Sequence, residues 1–136
     1  MRTLGFALAS AAALGGCATA PPQMANPAAE QRLQQLLAGK AAGPARSCLP
    51  AYRSSDMTII DDNTVVFRDG RNRLWRSEMR AGCSRLGSGF YTLVTRTFGG
   101  QGPCGGDIAE LVDLSSGITT GSCVWGDFVP YTRPGA

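Results

Sequence analysis

The chain has 136 residues, 43% of them hydrophobic, which suits one modest domain. Its formal charge of +3, reduced by one if Arg2 is removed with a leader, is too weak to argue for nucleic acid as a partner. There is no histidine, so the commonest general base and the commonest transition-metal ligand are both absent, and no cofactor is expected.

Arg2 gives a positive start, and Leu4 to Leu14 form an apolar run. That run falls short of the roughly 20 apolar residues a transmembrane helix needs, so a signal segment is preferred. It closes on Leu14-Gly15-Gly16-Cys17. This stretch resembles the lipobox of bacterial lipoproteins, where signal peptidase cuts before the cysteine and lipid joins its sulfur. The resemblance implies a signal peptide over 1–16, lipidation of Cys17, and a membrane partner held through acyl chains such as palmitate. One chain binds only marginally, at about 0.8 kcal/mol per buried methylene, whereas several hold a protein stably. Ala18, rather than Asp, follows the cysteine. By the sorting habit of such lipoproteins, that points to the cell envelope at the periplasmic face of the outer membrane. The alternative is an ordinary secretory signal cut after Ala18-Thr19-Ala20, with Cys17 discarded.

Residues 17–47 read as a lipid-anchored flexible tether rich in Ala, Pro, Gln and Gly. Asn26 as N-cap, Pro27 at the first position and Gly39 past the end predict a short helix over 27–38. Leu33, Leu36 and Leu37 would share one face. A helix this short is marginal alone, so it docks on the domain, lies near the membrane, or stays largely unstructured.

From Cys48 to residue 132 the pattern changes to short strand-like runs between turn residues. Strands are expected at Asp56 to Ile60, Thr64 to Arg68, Arg73 to Met79, Gly89 to Phe98, Asp107 to Leu114, and Ser122 to Tyr131. The third alternates Trp75, Ser77 and Met79 against Arg76 and Glu78, the period of a half-buried strand. The fold class is all-β: a small antiparallel six-stranded barrel-like or sandwich domain.

Cys48, Cys83, Cys104 and Cys123 lie near strand ends and suit two disulfides that supplement a modest core. Four cysteines allow three connectivities. In an up-and-down meander, strand parity puts Cys48 with Cys104 at one end and Cys83 with Cys123 at the other, which favours those two pairs. Isolated cysteines argue against zinc, and the lack of C-x-x-C argues against a redox role.

Gly100 to Gly105 matches G-x-G-x-x-G by letter, but a proline and a cysteine interrupt it and a strand follows, so a hairpin loop is preferred to a dinucleotide site. Asp61-Asp62-Asn63 with Asp69 reads as turn chemistry, since EF-hand spacing is missing. Glu78, Asp107, Glu110 and Asp113 are the carboxylates available for acid–base work, but no catalytic residue is assigned and no enzyme is expected. The aromatics (Tyr52, Phe67, Trp75, Phe90, Tyr91, Phe98, Trp125, Phe128 and Tyr131) are expected mostly in the core. Arg68, Arg73, Trp75 and Arg76 are the candidate binding surface, an arginine–aromatic strip suited to glycan or anionic polymer.

Cys48-Leu49, Ile59 to Val65, Arg68 to Trp75, Cys83, Cys104 to Asp107, and Cys123 to Phe128 form an ordered pattern. It resembles a family of small exported bacterial lipoproteins of unknown function, and the resemblance brings no assigned activity. The leading expectation is a lipid-anchored cell-envelope protein whose β domain has a structural or binding role, with an envelope protein or polymer as partner. A lysozyme-inhibitor-like periplasmic binding module and an envelope polymer hydrolase are the alternatives.

Overall fold

A computed structural model describes residues 26–50, 56–97 and 101–135. They form one helix, α1 (Pro27–Leu37), and eight strands. The strands are β1 (Ala41–Ala42), β2 (Met57–Ile59), β3 (Thr64–Asp69), β4 (Arg73–Glu78), β5 (Tyr91–Val94), β6 (Ile108–Asp113), β7 (Thr119–Val124) and β8 (Phe128–Thr132). A 3-10 turn covers Leu86–Ser88. All pairings between strands are antiparallel, in a five-stranded sheet of order β1-β8-β4-β3-β2 and a three-stranded sheet β5-β6-β7.

The strands therefore do not make one six-stranded meander, and neither sheet closes into a barrel. The run expected from Ser122 to Tyr131 breaks at Trp125-Gly126-Asp127, where the chain passes from the small sheet into the large one. Gly126 lies so close to β4 that a Cβ there would run into the carbonyl oxygen of Glu78, so this crossing needs glycine. The expected fourth strand also contracts. Pairing with β6 ends at Val94, and the Thr95 hydroxyl accepts the Trp125 indole N–H at 2.8 Å instead of continuing the ladder.

Two apolar layers follow from the period of two along the strands. Val65, Phe67 and Trp75 from the large sheet meet Leu93, Leu111 and Cys123 from the small one in a shared core. Phe67, Trp125 and Phe128 form its centre, with ring centroids 5.7 to 6.1 Å apart in tilted geometry. Val66 and Leu74 point to the other face of the large sheet, where α1 lays Ala29 and Leu33 against them and against Ile60.

Of the three outcomes expected for the helix within the tether over 17–47, docking on the domain is the one found. From Asn26 onward the tether belongs to the fold. The Asn26 side chain caps α1 by accepting from the Ala28 and Ala29 amides at 3.1 and 3.4 Å, as its sequence position predicts. Ala41 and Ala42 then pair with Thr132 and Tyr131 of β8, and Arg46 bridges to Phe128. Cys48 is a point along this path, not the start of the domain.

The disulfides are Cys48–Cys104 and Cys83–Cys123, with Cα separations of 3.9 and 5.1 Å. This is the pairing that parity favoured, within a topology that differs from the meander used to reach it. Cys48 follows the strand β1 and Cys83 follows β4, while their partners lie just before β6 and within β7. Each bridge thus ties a segment leaving the large sheet to the small sheet.

Candidate functional site

The strip expected from Arg68, Arg73, Trp75 and Arg76 is not one surface. Trp75 is 2% exposed and belongs to the shared core. Its indole N–H donates to the buried Asp69 carboxylate at 3.2 Å, and the Arg46 guanidinium lies 6.0 Å from its ring. Arg73 reaches the same Asp69 at 3.7 Å. Strand parity sends Arg68 and Arg76 to the opposite face. There Arg68 faces Asp56 at 3.7 Å, and Arg76 pairs with Glu78. The signal was present in the sequence, because the alternation that set Trp75 with Ser77 also set Arg76 against it.

Around the end of β4 the side chains do converge. Arg76, Glu78, Met79, Arg80, Asp127 and Val129 line a cleft of about 470 Å³. A second cleft of about 460 Å³, lined by Asp61, Asn63, Thr64 and Ala81 among others, lies on the other side of the same Glu78-Met79-Arg80 segment. This segment is a ridge between two grooves. Its charges are matched in pairs, Arg76 with Glu78 and Arg80 with Asp127 at 3.1 Å. The Arg76 Nε is buried and has no hydrogen-bond partner among the described residues. The lining of the larger cleft contains no Ser, Thr, Cys or Lys nucleophile. A third, smaller cleft of about 280 Å³ opens between the sheets beside Met57, Phe67, Leu93 and Trp125.

The carboxylates considered for acid–base work have structural partners. Asp107 accepts the Cys104 amide at 2.8 Å, and Glu110 faces the Thr119 hydroxyl at 3.4 Å. Asp113 caps the β6–β7 turn by accepting from Ser115 and Ser116. The Ser115 hydroxyl, followed by the turn amides, lowers its pKa from 3.8 to about 2. Asp61 takes the Asn63 and Thr64 amides at 2.8 and 2.7 Å, and Asp62 takes the Gly87 amide at 2.7 Å. Asp61 thus caps its own turn, while Asp62 ties that turn to the distant Gly87. Among the described residues no group of three or more His, Cys, Asp or Glu could hold a metal ion. In the glycine-rich loop, Gly102 packs on the Leu49 carbonyl and Cys104 is bridged to Cys48. Gly100, Tyr52, Phe98 and Cys17, the expected lipidation site, lie outside the described residues.

A model of the family of unknown function DUF6491 matches residues 1–102. The chain belongs to this family. The DUF6491 match takes in α1 and β1 to β5 and stops before Cys104, leaving β6 to β8 beyond it. It includes the segment before Cys48, which the ordered pattern described above does not, in keeping with the docking of α1 on the large sheet. No curated protein matches the chain. No solved structure matches it either.

Proposed function

We propose that this DUF6491 protein is a lipid-anchored cell-envelope protein whose β domain serves a binding or structural role without catalysis. The observation that carries this reading is the pair of disulfides between the two sheets, which persist where thiols are not kept reduced. Leu14-Gly15-Gly16-Cys17 supports the anchor, and the charge-matched ridge at Glu78 to Arg80 supports holding over conversion.

The docking of α1 changes the geometry of that anchor. Nine residue steps separate Cys17 from Asn26, which span at most about 30 Å when fully extended. The domain then works close to the lipid surface and not at the end of a long spacer.

The test is the intact mass of protein purified from its own cells, with and without reductant. The expected result is a chain beginning at an acylated Cys17, whose mass rises on reduction by the hydrogens of both bridges. An uncleaved leader together with four free thiols would overturn the reading. Two assays separate the alternatives: inhibition of lysozyme at micromolar protein would favour the inhibitor module, and release of soluble fragments from envelope polymer would favour a hydrolase.

A further inference from the structure

One end of the small sheet is apolar where solvent is expected. Phe90, Leu114 and Ile118 are 70%, 62% and 63% exposed. The backbone brings them together. The Leu114 amide donates to the Phe90 carbonyl at 2.9 Å, and the Asp113 amide donates to the Ile118 carbonyl at 3.0 Å. The hairpin between them is fixed by the Asp113 carboxylate on the Ser115 and Ser116 amides at 2.8 and 2.9 Å, which commits the charge at this tip to the turn itself. Val94 and Ile108 are exposed too, but they pair with Glu110 and Val124 further down the sheet.

This tip lies at the end of the molecule where the chain enters it. Arg32, midway along α1, donates to the Ile59 carbonyl at 3.4 Å, and Ala29, nearer the helix N-terminus, packs in the same cluster as Ile60, which places this half of the helix beside the β2–β3 turn. Asp62 in that turn holds the Gly87 amide, and Phe90 follows three residues later, a reach of about 10 Å at most. Arg85, 4.8 Å from the Tyr91 ring, adds a cation beside the tip that suits an anionic surface.

We propose that the tip formed by Phe90, Leu114 and Ile118 inserts into the lipid surface to which Cys17 is tethered. The proposal rests on the anchored reading above: nine residue steps leave α1, and the tip beside its N-terminal part, within reach of that surface. Large apolar side chains enter the headgroup–acyl boundary to a depth of about 5–10 Å, which a rigid hairpin tip can do without unfolding. The Asp113 carboxylate remains at headgroup level. Insertion fixes the orientation of the domain, so the clefts beside Glu78 face a constant direction.

The test uses the acylated full chain on vesicles of phosphatidylethanolamine and phosphatidylglycerol containing brominated phosphatidylcholine, with Leu114→Trp as reporter. The native Trp75 and Trp125 are each 2% exposed, so bromine in the lipid does not reach them. The added indole at position 114 is expected to lose most of its emission, whereas one placed by Arg71→Trp in the β3–β4 hairpin keeps its emission. Adding Phe90→Ser and Ile118→Ser to the Leu114→Trp chain is expected to restore the emission. Equal quenching at 114 and 71, or quenching that survives the two serines, overturns the tip alone. A mass showing no acyl chain overturns the anchor, and the tip with it.

Discussion

Leu33→Ala tests whether the segment before Cys48 is fold or spacer. Leu33 is 5% exposed and packs with Ala29 against Ile60, Val66 and Leu74. Truncating a buried leucine to alanine costs about 2–5 kcal/mol. The lower half of that range applies here, because α1 lies on an outer face where the helix can settle toward the sheet. A loss of about 2–3 kcal/mol lowers the melting temperature of a domain this size by roughly 8–15 °C. Gln35→Ala, on the exposed side of the same helix, is the control and should stay within about 0.5 kcal/mol. Urea melts followed by circular dichroism measure both. If the two variants lose the same small amount, α1 contributes nothing to the fold and its docking is refuted.

Other outcomes follow from single contacts. Asp113 has its pKa depressed to about 2, so the capped turn is stabilised above pH 3.8 and that contribution is lost as the pH falls through about 2. Carboxyl chemical shifts should titrate with a midpoint near 2, and a midpoint at 3.8 would show that the cap is not formed. Replacing Cys48 and Cys104 together with alanine opens a cross-link between residues 56 apart and should cost about 4 kcal/mol in the chain-entropy model. A loss below about 1 kcal/mol in urea melts would contradict it. Gly126→Ala forces a methyl group onto the Glu78 carbonyl and should cost about 1–3 kcal/mol, read as a lower melting temperature; an unchanged melt would mean the crossing tolerates a side chain.

Much of the β-structure was legible in the sequence, because alternation and turn residues report local conformation directly. β3 and β4 fall within one residue of their expected bounds. The split of the last expected strand was not legible, since Cys123-Val124-Trp125 and Phe128-Val129 both look like strand and only contact with Glu78 bends the chain between them. For α1 the cap and start were readable from Asn26-Pro27, while its docking stood as one of three outcomes that the sequence did not separate. A clue existed in Val65-Val66-Phe67. An unbroken apolar run signals a strand buried on both faces, so something had to cover the second one. At the candidate site, parity already separated Trp75 from Arg76. The ridge at Glu78 to Arg80 was not foreseeable, since it depends on Asp127, which returns from far along the chain. Phe90, one of the aromatics expected mostly in the core, is exposed, because it alternates with the buried Tyr91 and so faces away from the core.

The order β1-β8-β4-β3-β2 has a consequence for how the chain matures. β8, the last of the described strands in chain order, is an interior one, seated between β1 and β4. A polypeptide emerging amino end first carries both neighbours with bare edges until Phe128 to Thr132 arrive, and Cys48 has no partner thiol until Cys104 does. Such distant pairings are slow to form. Products that stop short of β8, even ones that include all of residues 1–102, lack the strand that seals the larger sheet.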